Sequence, residues 1–262
     1  MIKIISGWSD KGGSTFAFIN LTNTLNQYGY DATFYGPHQW HLDKCKSGIL
    51  DNSLTIDKDD KLICHFIQLP NRPNASKVIL SCHEKNLFEV GKLNQYWDKV
   101  VFLNEKQREY HNSYKGEFTI LPNLREVLNK KENIDDSRKI AGIIGSVDEN
   151  KQTHLSIQRA FSEGYEKIIL FGNVTDQNYY NSKVKPLMNE NVIEYGFESD
   201  KQKMYDMVDA VFLSSKSEVA SLVKDECEST GTKFYGNTAT DHDVKNLTND
   251  EIIKEWIKIL EI

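Results

Sequence analysis

Short apolar segments, rich in β-branched and aromatic residues, alternate along the chain with longer segments in which apolar residues recur at helical spacing. In the first half, the apolar segments predict strands at 1–6, 31–36, 61–67, 77–82, 99–104 and 118–122. Two amphipathic stretches, which end at Gly29 and Gly116, predict helices in this half.

The same alternation restarts after the segment 123–138, which is polar and highly charged and predicts a linker. Strands are predicted at 139–145, 167–172, 191–196, 209–215 and 232–236, and helices at 151–161, 176–188, 199–207 and 221–229. A last amphipathic helix is predicted to begin with Thr248 or Asn249 as its N-cap.

Strands that alternate with helices and are apolar over most of their length are typical of parallel sheets covered on both faces. We therefore predict an α/β protein of two Rossmann-like, doubly wound parallel-sheet domains, residues 1–134 and 135–262. Ligands of such sheets bind beyond the carboxyl ends of the strands, so we expect the two domains to face a cleft that holds the site.

Charge is distributed unevenly between these domains. Residues 1–134 carry 17 Lys and Arg against 15 Asp and Glu, whereas residues 135–262 carry 15 against 23. No strongly basic block of the kind that binds nucleic acid is present. No apolar run approaches the ~18 residues of a membrane span, the first residues do not resemble a signal peptide, and the four cysteines lack metal-site spacing. These features predict a cytoplasmic protein with reduced thiols and no metal.

The stretch DKGGST at 10–15 places Gly12 and Gly13 between the first strand and the first helix. It lacks the GK[ST] ending of a nucleoside triphosphatase P-loop and the GxGxxG spacing of a dinucleotide-binding loop. One interpretation is a plain turn in which Ser14 or Thr15 caps the helix. The other is an anion site formed by backbone N–H groups and the helix dipole. The loop alone leaves both open.

An ordered set of residues in the second half carries more information. It consists of Gly145 and Lys151, Tyr195-Gly196, Tyr205 with Asp209 and Ser214 or Ser215, and Glu218 with Glu226 before Gly231 and Thr232. This set resembles the nucleotide-sugar domain of the large retaining glycosyltransferase family with the GT-B fold, which includes sucrose synthase and phosphatidylinositol mannosyltransferase. The first half is similar more loosely, through the glycine pair and the segments 79–83 and 120–123.

The resemblance implies an enzyme that moves a hexosyl or pentosyl group from a nucleoside-diphosphate sugar to an acceptor hydroxyl with retention of anomeric configuration. The donor would bind the second domain and the acceptor the first, without a tightly bound cofactor. The resemblance also implies that the final helix packs back onto the first domain. A UDP-sugar is the expected donor, with GDP- and ADP-sugars as alternatives. The acceptor is left open between a glycan, a lipid, a small metabolite and, for a phage protein in the host cytoplasm, a hydroxymethylated DNA base.

The resemblance also assigns roles on the donor side. Cleavage of the sugar–phosphate bond makes the leaving diphosphate more negative, and Lys151 behind the Gly145 loop would stabilise it. Glu226 would accept hydrogen bonds from the ribose hydroxyls, because a carboxylate can take two together. Glu218 would hold a hydroxyl of the transferred sugar. The backbone N–H groups of Ser221 and Leu222 would reach the donor.

On the first domain, His83 follows the strand at 77–82 and is expected near the reacting sugar, as a third catalytic residue beside Lys151 and Glu218. Gly12 and Gly13 would form a lip small enough for the donor's phosphate and sugar. His38 and His41 are interpreted as part of an acceptor surface rather than as metal ligands.

Two positions depart from the family pattern. Ser146 stands where relatives usually place Arg, and Val219 stands where they usually place Gly. These departures keep open one rival function, a non-catalytic nucleotide- or sugar-binding protein on the same fold. A second rival, an ATPase, rests on the Gly12-Gly13 loop in DKGGST.

Overall fold

The computed structural model describes residues 1–67, 69–85, 96–131, 138–240 and 244–262. The chain forms two compact units, one of Met1–Leu124 with His242–Ile262 and the other of Arg125–Asp241. The predicted domain boundary between residues 134 and 135 lies outside the described residues.

The first unit is built on a seven-stranded parallel sheet with the strand order β3-β2-β1-β4-β5-β6-β7. The strands are β1 (Ile2–Ser6), β2 (Ala32–Gly36), β3 (Ser47–Ile49), β4 (Lys61–His65), β5 (Lys77–Ser81), β6 (Lys99–Phe102) and β7 (Phe118–Ile120). Six of these strands lie where the sequence predicts them. The edge strand β3 was missed because its sequence, Ser-Gly-Ile, is too short and too polar to produce a strand pattern.

Among the described residues, the helices between these strands are α1 (Gly13–Gln27) and α2 (Glu105–Tyr110). The predicted helix that ends at Gly116 is shorter than the amphipathic stretch suggests. Its start is capped by Asn104, whose side chain accepts the Gln107 N–H. Beyond its end, the Arg108 guanidinium donates to the carbonyl oxygens of His111 and Tyr114. The His111 carbonyl also accepts the Tyr114 N–H at 3.0 Å, so the chain continues beyond the helix as a turn that the Arg108 side chain supports.

The second unit contains a five-stranded parallel sheet with the order β10-β9-β8-β11-β12. Its strands are β8 (Ile140–Ile144), β9 (Lys167–Phe171), β10 (Val192–Gly196), β11 (Ala210–Phe212) and β12 (Lys233–Tyr235). Its helices are α3 (Thr153–Ser162), α4 (Gln177–Tyr179), α5 (Lys201–Asp206) and α6 (Leu222–Thr230). The chain continues from α4 as a π-helical turn at Tyr180–Val184 and a 3-10 turn at Lys185–Leu187. All five strands were predicted.

The last helix, α7 (Asn249–Leu260), belongs to the first unit. Thr248 is its N-cap and forms a capping box with Glu251, so the predicted cap at Thr248 is confirmed. The buried side of α7 packs in one core with residues of α1, including Ile252, Trp256, Phe18 and Leu25. The expected return of this helix to the first part of the chain is therefore confirmed.

Each sheet has a separate core on each of its two faces. In the first unit, Ile4 of β1 packs in the core with α1 and α7, whereas its neighbour Ile5 packs on the other face with Leu62 and Leu80. In the second unit, Ile143 and Ile144 of β8 likewise pack in different cores, one on each face of the sheet. Both faces of each sheet are thus apolar, which explains why the strands read as continuous hydrophobic runs.

Candidate functional site

Three glycines line the carboxyl edge of the second sheet, where β8, β9 and β10 end. Gly145, Gly172 and Gly196 all have positive φ, at 138°, 140° and 85°. The Gly145 N–H donates to the Phe171 carbonyl at 2.9 Å, and the Gly172 N–H donates to the Gly196 carbonyl at 2.8 Å. A Cβ on Gly172 would lie 2.0 Å from the Gly145 oxygen. Only glycine allows the backbones to meet this closely.

This close approach leads to a prediction for Gly172→Ala. The added methyl group must displace the Gly145 carbonyl, and a positive φ is itself unfavourable for alanine. We expect the free energy of unfolding of the second unit to fall by more than about 1 kcal/mol. Denaturant unfolding would measure the change. Gly164→Ala is the matched control, because Gly164 also has positive φ (83°) but has nothing within 4 Å of an added Cβ.

Lys151 lies at the end of the loop that follows Gly145. The Lys151 N–H donates to Asp148 Oδ1 at 2.8 Å, and the next residue, Gln152, adopts a left-handed conformation before α3 begins. The lysine side chain runs back over the start of the loop, since its Cε is 3.6 Å from where a Cβ of Gly145 would be. The loop therefore places the Lys151 side chain, with its positive charge, close to the end of β8.

Lys151 meets Glu218 at this position. The Lys151 ammonium donates to Glu218 Oε1 at 2.5 Å, and the Ser215 hydroxyl donates to the same oxygen at 2.6 Å. The side chains are 27% and 11% exposed, so the pair is partly shielded but open to solvent. The structure thus brings together two residues that the sequence analysis singled out separately and that lie 67 positions apart.

The loop that carries Glu218 is held by backbone contacts on both sides. The Lys216 N–H donates to the Asn150 carbonyl at 2.7 Å, and the Asn150 amide donates to the Ser217 carbonyl at 3.2 Å. The Asn237 amide donates to the Ser215 carbonyl at 2.9 Å. These bonds connect the loops that follow β8, β11 and β12, so the Lys151–Glu218 pair lies in a well-supported position.

Glu226 lies on α6 with only 5% of its surface exposed. Its Oε1 accepts a hydrogen bond from the Lys201 ammonium at 2.6 Å, and its Oε2 accepts one from the Tyr205 hydroxyl at 2.7 Å. Lys201 also contacts Glu126 Oε2 at 2.6 Å. Burial lowers the pKa of Lys201, but the charges of Glu226 and Glu126 outweigh it and raise the pKa above its ordinary value. Lys201 is therefore a buried cation.

The sequence analysis missed Lys201 and Glu126. A signal for Lys201 was present, because it precedes Tyr205 by four positions on α5, and residues at that spacing share one face of a helix. The expected donor contact of the Ser221 and Leu222 backbone N–H groups stays a prediction. Ser221 is the N-cap of α6 and accepts the Lys224 N–H at 3.3 Å, and Leu222 begins the helix, where backbone N–H groups lack helical acceptors.

Ser146 occupies the position at which a second cation was expected. Its hydroxyl donates to Asp148 Oδ2, which also accepts from the Thr175 hydroxyl at 3.3 Å. The loop after β8 therefore carries a carboxylate, held by Ser146, Lys151 and Thr175, where an arginine would have supplied positive charge. This arrangement opposes the binding of an anion at the loop.

In the first unit, the ends of β1, β4 and β5 bring several polar side chains together. The Ser6 hydroxyl is 2.8 Å from His65 Nδ1, and His65 Nε2 is 2.7 Å from Glu84 Oε1. His83 packs against Phe18 and His65, with ring centroids 4.7 and 5.2 Å away. Burial, together with the charge of His65, lowers the pKa of His83 to about 3, so His83 is neutral near pH 7. His65 and Glu84 were not singled out from the sequence.

The glycine pair Gly12-Gly13 lies at the start of α1. Gly12 itself is the N-cap and no side chain caps the helix, so the interpretation with Ser14 or Thr15 as the cap is wrong. The helix begins at Gly13, so Ser14 and Thr15 already lie within its first turn, and the Thr15 hydroxyl is buried without a hydrogen-bond partner among the described residues. Asp10 lies beneath the loop, with Oδ1 2.7 Å from where a Cβ of Gly12 would be. Because neither Gly12 nor Gly13 has a side chain, these two positions present only backbone atoms.

The described part of the chain contains neither a metal cluster nor a membrane-spanning helix. Within it, no group of three or more His, Cys, Asp or Glu residues is placed to hold a metal ion. No helix in the same residues is long and apolar enough to cross a membrane.

His41 is fully buried with neither ring nitrogen paired among the described residues, and burial lowers its pKa.

The fold is shared with solved glycosyltransferases of the GT-B class. The structure of HepE from Anabaena in complex with UDP and glucose has a TM-score of 0.71 at 13% identity, over 99% of this chain and 89% of that one. A glycosyltransferase from Rickettsia africae has a TM-score of 0.65 at 14% identity, over 100% and 88%. WaaG, a glycosyltransferase involved in lipopolysaccharide biosynthesis, has a TM-score of 0.65 at 12% identity, over 100% and 91%.

These likenesses confirm the predicted GT-B fold class, with two parallel-sheet α/β units. At 12–14% identity they show the fold alone. The sequence itself matches no family model and no curated protein. Function must therefore be argued from the side chains at the two sheet edges.

Proposed function

We propose that the protein is a glycosyltransferase that uses a nucleoside-diphosphate sugar, with a UDP-sugar as the expected donor and GDP- or ADP-sugars as alternatives. The observation that carries the proposal is the Lys151–Glu218 pair at the glycine-lined edge of the second sheet. Solved proteins of the same fold support it, because HepE has been crystallised with UDP-glucose. Donor binding by residues 135–262 and acceptor binding by residues 1–134 are part of the same proposal.

The Lys151–Glu218 pair suggests how the diphosphate would be held. The two side chains neutralise one another where they meet. A diphosphate oxygen would replace Glu218 as the partner of Lys151, because a phosphate and a carboxylate present similar anionic oxygens to an ammonium group. Glu218, still held by the Ser215 hydroxyl, would then accept a hydrogen bond from a hydroxyl of the transferred sugar. The Lys151–Glu218 contact would thus be replaced by two contacts with the donor, one from Lys151 to a phosphate oxygen and one from Glu218 to a sugar hydroxyl.

Lys151 would act on the reaction through charge. As the bond between the anomeric carbon and the diphosphate oxygen breaks, negative charge grows on the leaving group, and a fixed ammonium stabilises it. The acceptor oxygen then bonds to the anomeric carbon. For transfer with retention, which we propose from the sequence resemblance, the leaving diphosphate oxygen takes the acceptor's proton. Ser221 and Leu222 would add backbone N–H groups from the start of α6.

Glu226 would bind the ribose of the donor. Each of its oxygens already accepts one hydrogen bond, from Lys201 and Tyr205 respectively. A carboxylate has about four lone-pair sites, so each oxygen retains capacity for one more donor. The two hydroxyls of a ribose would supply these donors. The cation at Lys201 keeps the carboxylate compensated while it is buried.

On the first unit, His83 would lie near the transferred sugar, and Gly12 and Gly13 would form a lip for the donor's phosphate and sugar. Neutral His83 can both donate and accept a hydrogen bond. The side-chain-free start of α1 would let a sugar or phosphate approach the backbone. Among acceptors, a glycan, a lipid, a small metabolite and a hydroxymethylated DNA base are still candidates. A cytoplasmic location, that of the host for a phage protein, is also proposed, and the four free cysteines are consistent with that compartment.

One observation favours a second candidate, a nucleotide- or sugar-binding protein without catalysis. Asp148 places a negative charge in the loop after β8, beside the proposed phosphate position, and Ser146 supplies no cation. Weak binding of the diphosphate is the expected consequence. Turnover decides between the two candidates, since both predict nucleotide binding.

The test is a panel of UDP-, GDP- and ADP-sugars incubated with the protein, with release of nucleoside diphosphate and free or transferred sugar measured over time. The glycosyltransferase proposal expects turnover of at least one donor. Binding without turnover would favour the non-catalytic candidate. A protein that neither binds nor turns over any of these donors would contradict both. ATP hydrolysis abolished by Gly13→Val but retained in Glu226→Ala would instead support the ATPase alternative.

A further inference from the structure

A second part of the first sheet's carboxyl edge has no role in the donor scheme. Trp8 follows β1 and is 49% exposed, which is unusual for the largest side chain. The Trp8 ring meets His38 and Phe66 at centroid distances of 6.4 and 6.2 Å with steep interplanar angles. The three rings form an aromatic cluster at the surface, which we call the Trp8 cluster.

The backbone around the Trp8 cluster is constrained. Phe66 has a φ of 46°, a left-handed conformation that is uncommon for a bulky side chain. Gly7 has no room for a side chain, because a Cβ there would lie 2.1 Å from the Phe66 oxygen. The Gly7 N–H donates to the His65 carbonyl at 3.0 Å. The chain thus adopts an unfavourable conformation where the cluster is displayed, a situation that recurs at binding sites.

A chain of hydrogen bonds connects Trp8 with a carboxylate. The Ser6 hydroxyl bonds the Trp8 carbonyl oxygen and also contacts His65 Nδ1, and His65 Nε2 donates to Glu84 Oε1. Ser6 and His65 are buried, whereas the Glu84 side chain is 28% exposed. Glu84 Oε2 accepts the His83 N–H at 3.2 Å. The buried Ser6 and His65 therefore fix the position of the Glu84 carboxylate, which is still accessible to solvent.

Glu84 is held in its charged form. Burial raises its pKa, but the hydrogen bond from the His65 ring, the electrostatic influence of His65 and the hydrogen bond from the His83 N–H outweigh burial, and the pKa lies below its ordinary value. An ionised carboxylate is a pure acceptor, with sites left over on each oxygen. It would bind hydroxyl groups and repel phosphates.

The exposed Trp8 indole follows β1 and the Glu84 carboxylate follows β5 at the same edge of the first sheet, and these are two kinds of group that bind a sugar ring. The apolar C–H face of a sugar would pack on the ring, and the hydroxyls at its rim would donate to the carboxylate. A nucleic acid needs cations for its phosphates, which Glu84 does not offer. We propose that this edge is an acceptor subsite for a glycan, in which a sugar ring lies on Trp8 and its hydroxyls bind Glu84.

This inference rests on the proposed function, because a sugar bound here is meant to be the acceptor of transfer. Its first test uses saturation-transfer NMR with the methyl glycosides of glucose, galactose, mannose and N-acetylglucosamine as probes, in the presence of UDP. The expected result is transfer to ring protons of at least one glycoside. For that glycoside, Trp8→Ala should weaken binding about tenfold to a hundredfold, as removal of an aromatic anchor does.

The variants separate stacking from folding. Trp8→Phe keeps an aromatic ring and should retain most of the binding, and Glu84→Gln should weaken binding while the ring is intact. Tyr28→Ala is the control, because Tyr28 is a comparably exposed aromatic residue (43%) at the end of α1. It should leave binding unchanged. Circular dichroism checks that each variant is folded.

The outcomes distinguish this inference from the function it rests on. Absence of all signals from the four glycosides, or binding that Trp8→Ala and Glu84→Gln both leave unchanged, would overturn the acceptor subsite while UDP binding and donor turnover stood. Absence of UDP binding by the wild-type protein would overturn the proposed function. Glycoside binding that depends on both Trp8 and Glu84, in a protein that also binds UDP, would support the acceptor subsite.

Discussion

Lys151→Met should reduce sugar transfer by about a hundredfold to a thousandfold in kcat, the range found when one preorganised donor to a developing anion is removed. The substitution keeps the length of the side chain over Gly145 but removes the ammonium that Glu218 and, by our proposal, the diphosphate would share. Affinity for UDP should also fall, because the cation would contact the diphosphate before and after the bond breaks. Steady-state kinetics with the donor that the panel identifies would measure both quantities.

Lys216→Met is the matched control for this experiment. Lys216 lies in the loop after β11 that also carries Glu218, and its ammonium pairs with Glu149 on the surface. Both side chains are largely exposed, and exposed pairs contribute little. Lys216→Met should therefore retain nearly wild-type kcat. If Lys151→Met kept kcat within about threefold of the wild type, the proposed role of the cation would be wrong.

Lys201→Met should destabilise the protein by about 3–5 kcal/mol, because it leaves Glu226 as a buried charge without its cation. Glu126 is better placed to compensate through water, since its side chain is 36% exposed. Denaturant unfolding would measure the loss. Lys203→Met is the matched control two positions along the same helix. The Lys203 side chain is 52% exposed and pairs with Glu198, whose side chain is 15% exposed, so its removal should change stability much less than removal of the buried Lys201.

A double variant separates the structural role of this cluster from its proposed role in binding. Lys201→Met combined with Glu226→Gln removes both charges, so much of the lost stability should return. UDP affinity should stay low, because an amide offers the two ribose hydroxyls only one acceptor oxygen. Recovery of both stability and UDP affinity in the double variant would show that Glu226 does not bind the ribose.

The sequence was a good guide to the sheets and a poorer guide to what lies between them. Strands such as β4 and β8 are buried on both faces, so their apolar runs stand out without any tertiary information. The edge strand β3 has three half-buried residues and produces no such run. The start of α1 was misread because Ser14 and Thr15 are good capping residues by type, whereas Gly12 occupies the cap.

The candidate site shows the same division. Lys151, Glu218 and Glu226 could be singled out because an ordered resemblance marks their positions, and the structure then brings Lys151 and Glu218 into contact. Lys201 and the His65–Glu84 contact carry no such mark. Their significance depends on partners 19 to 25 positions away, across strand and helix boundaries, which only the folded chain brings together.

The proposed donor site would be tested most sharply by a crystal structure of the protein with UDP bound. We predict that the ribose hydroxyls lie within hydrogen-bond distance of the Glu226 carboxylate. A phosphate oxygen should lie within hydrogen-bond distance of the Lys151 ammonium, with Glu218 displaced from it. UDP bound elsewhere, for example at Gly12 and Gly13 alone, or a bound nucleotide that leaves the Lys151–Glu218 and Lys201–Glu226 pairs without contact, would contradict this donor site.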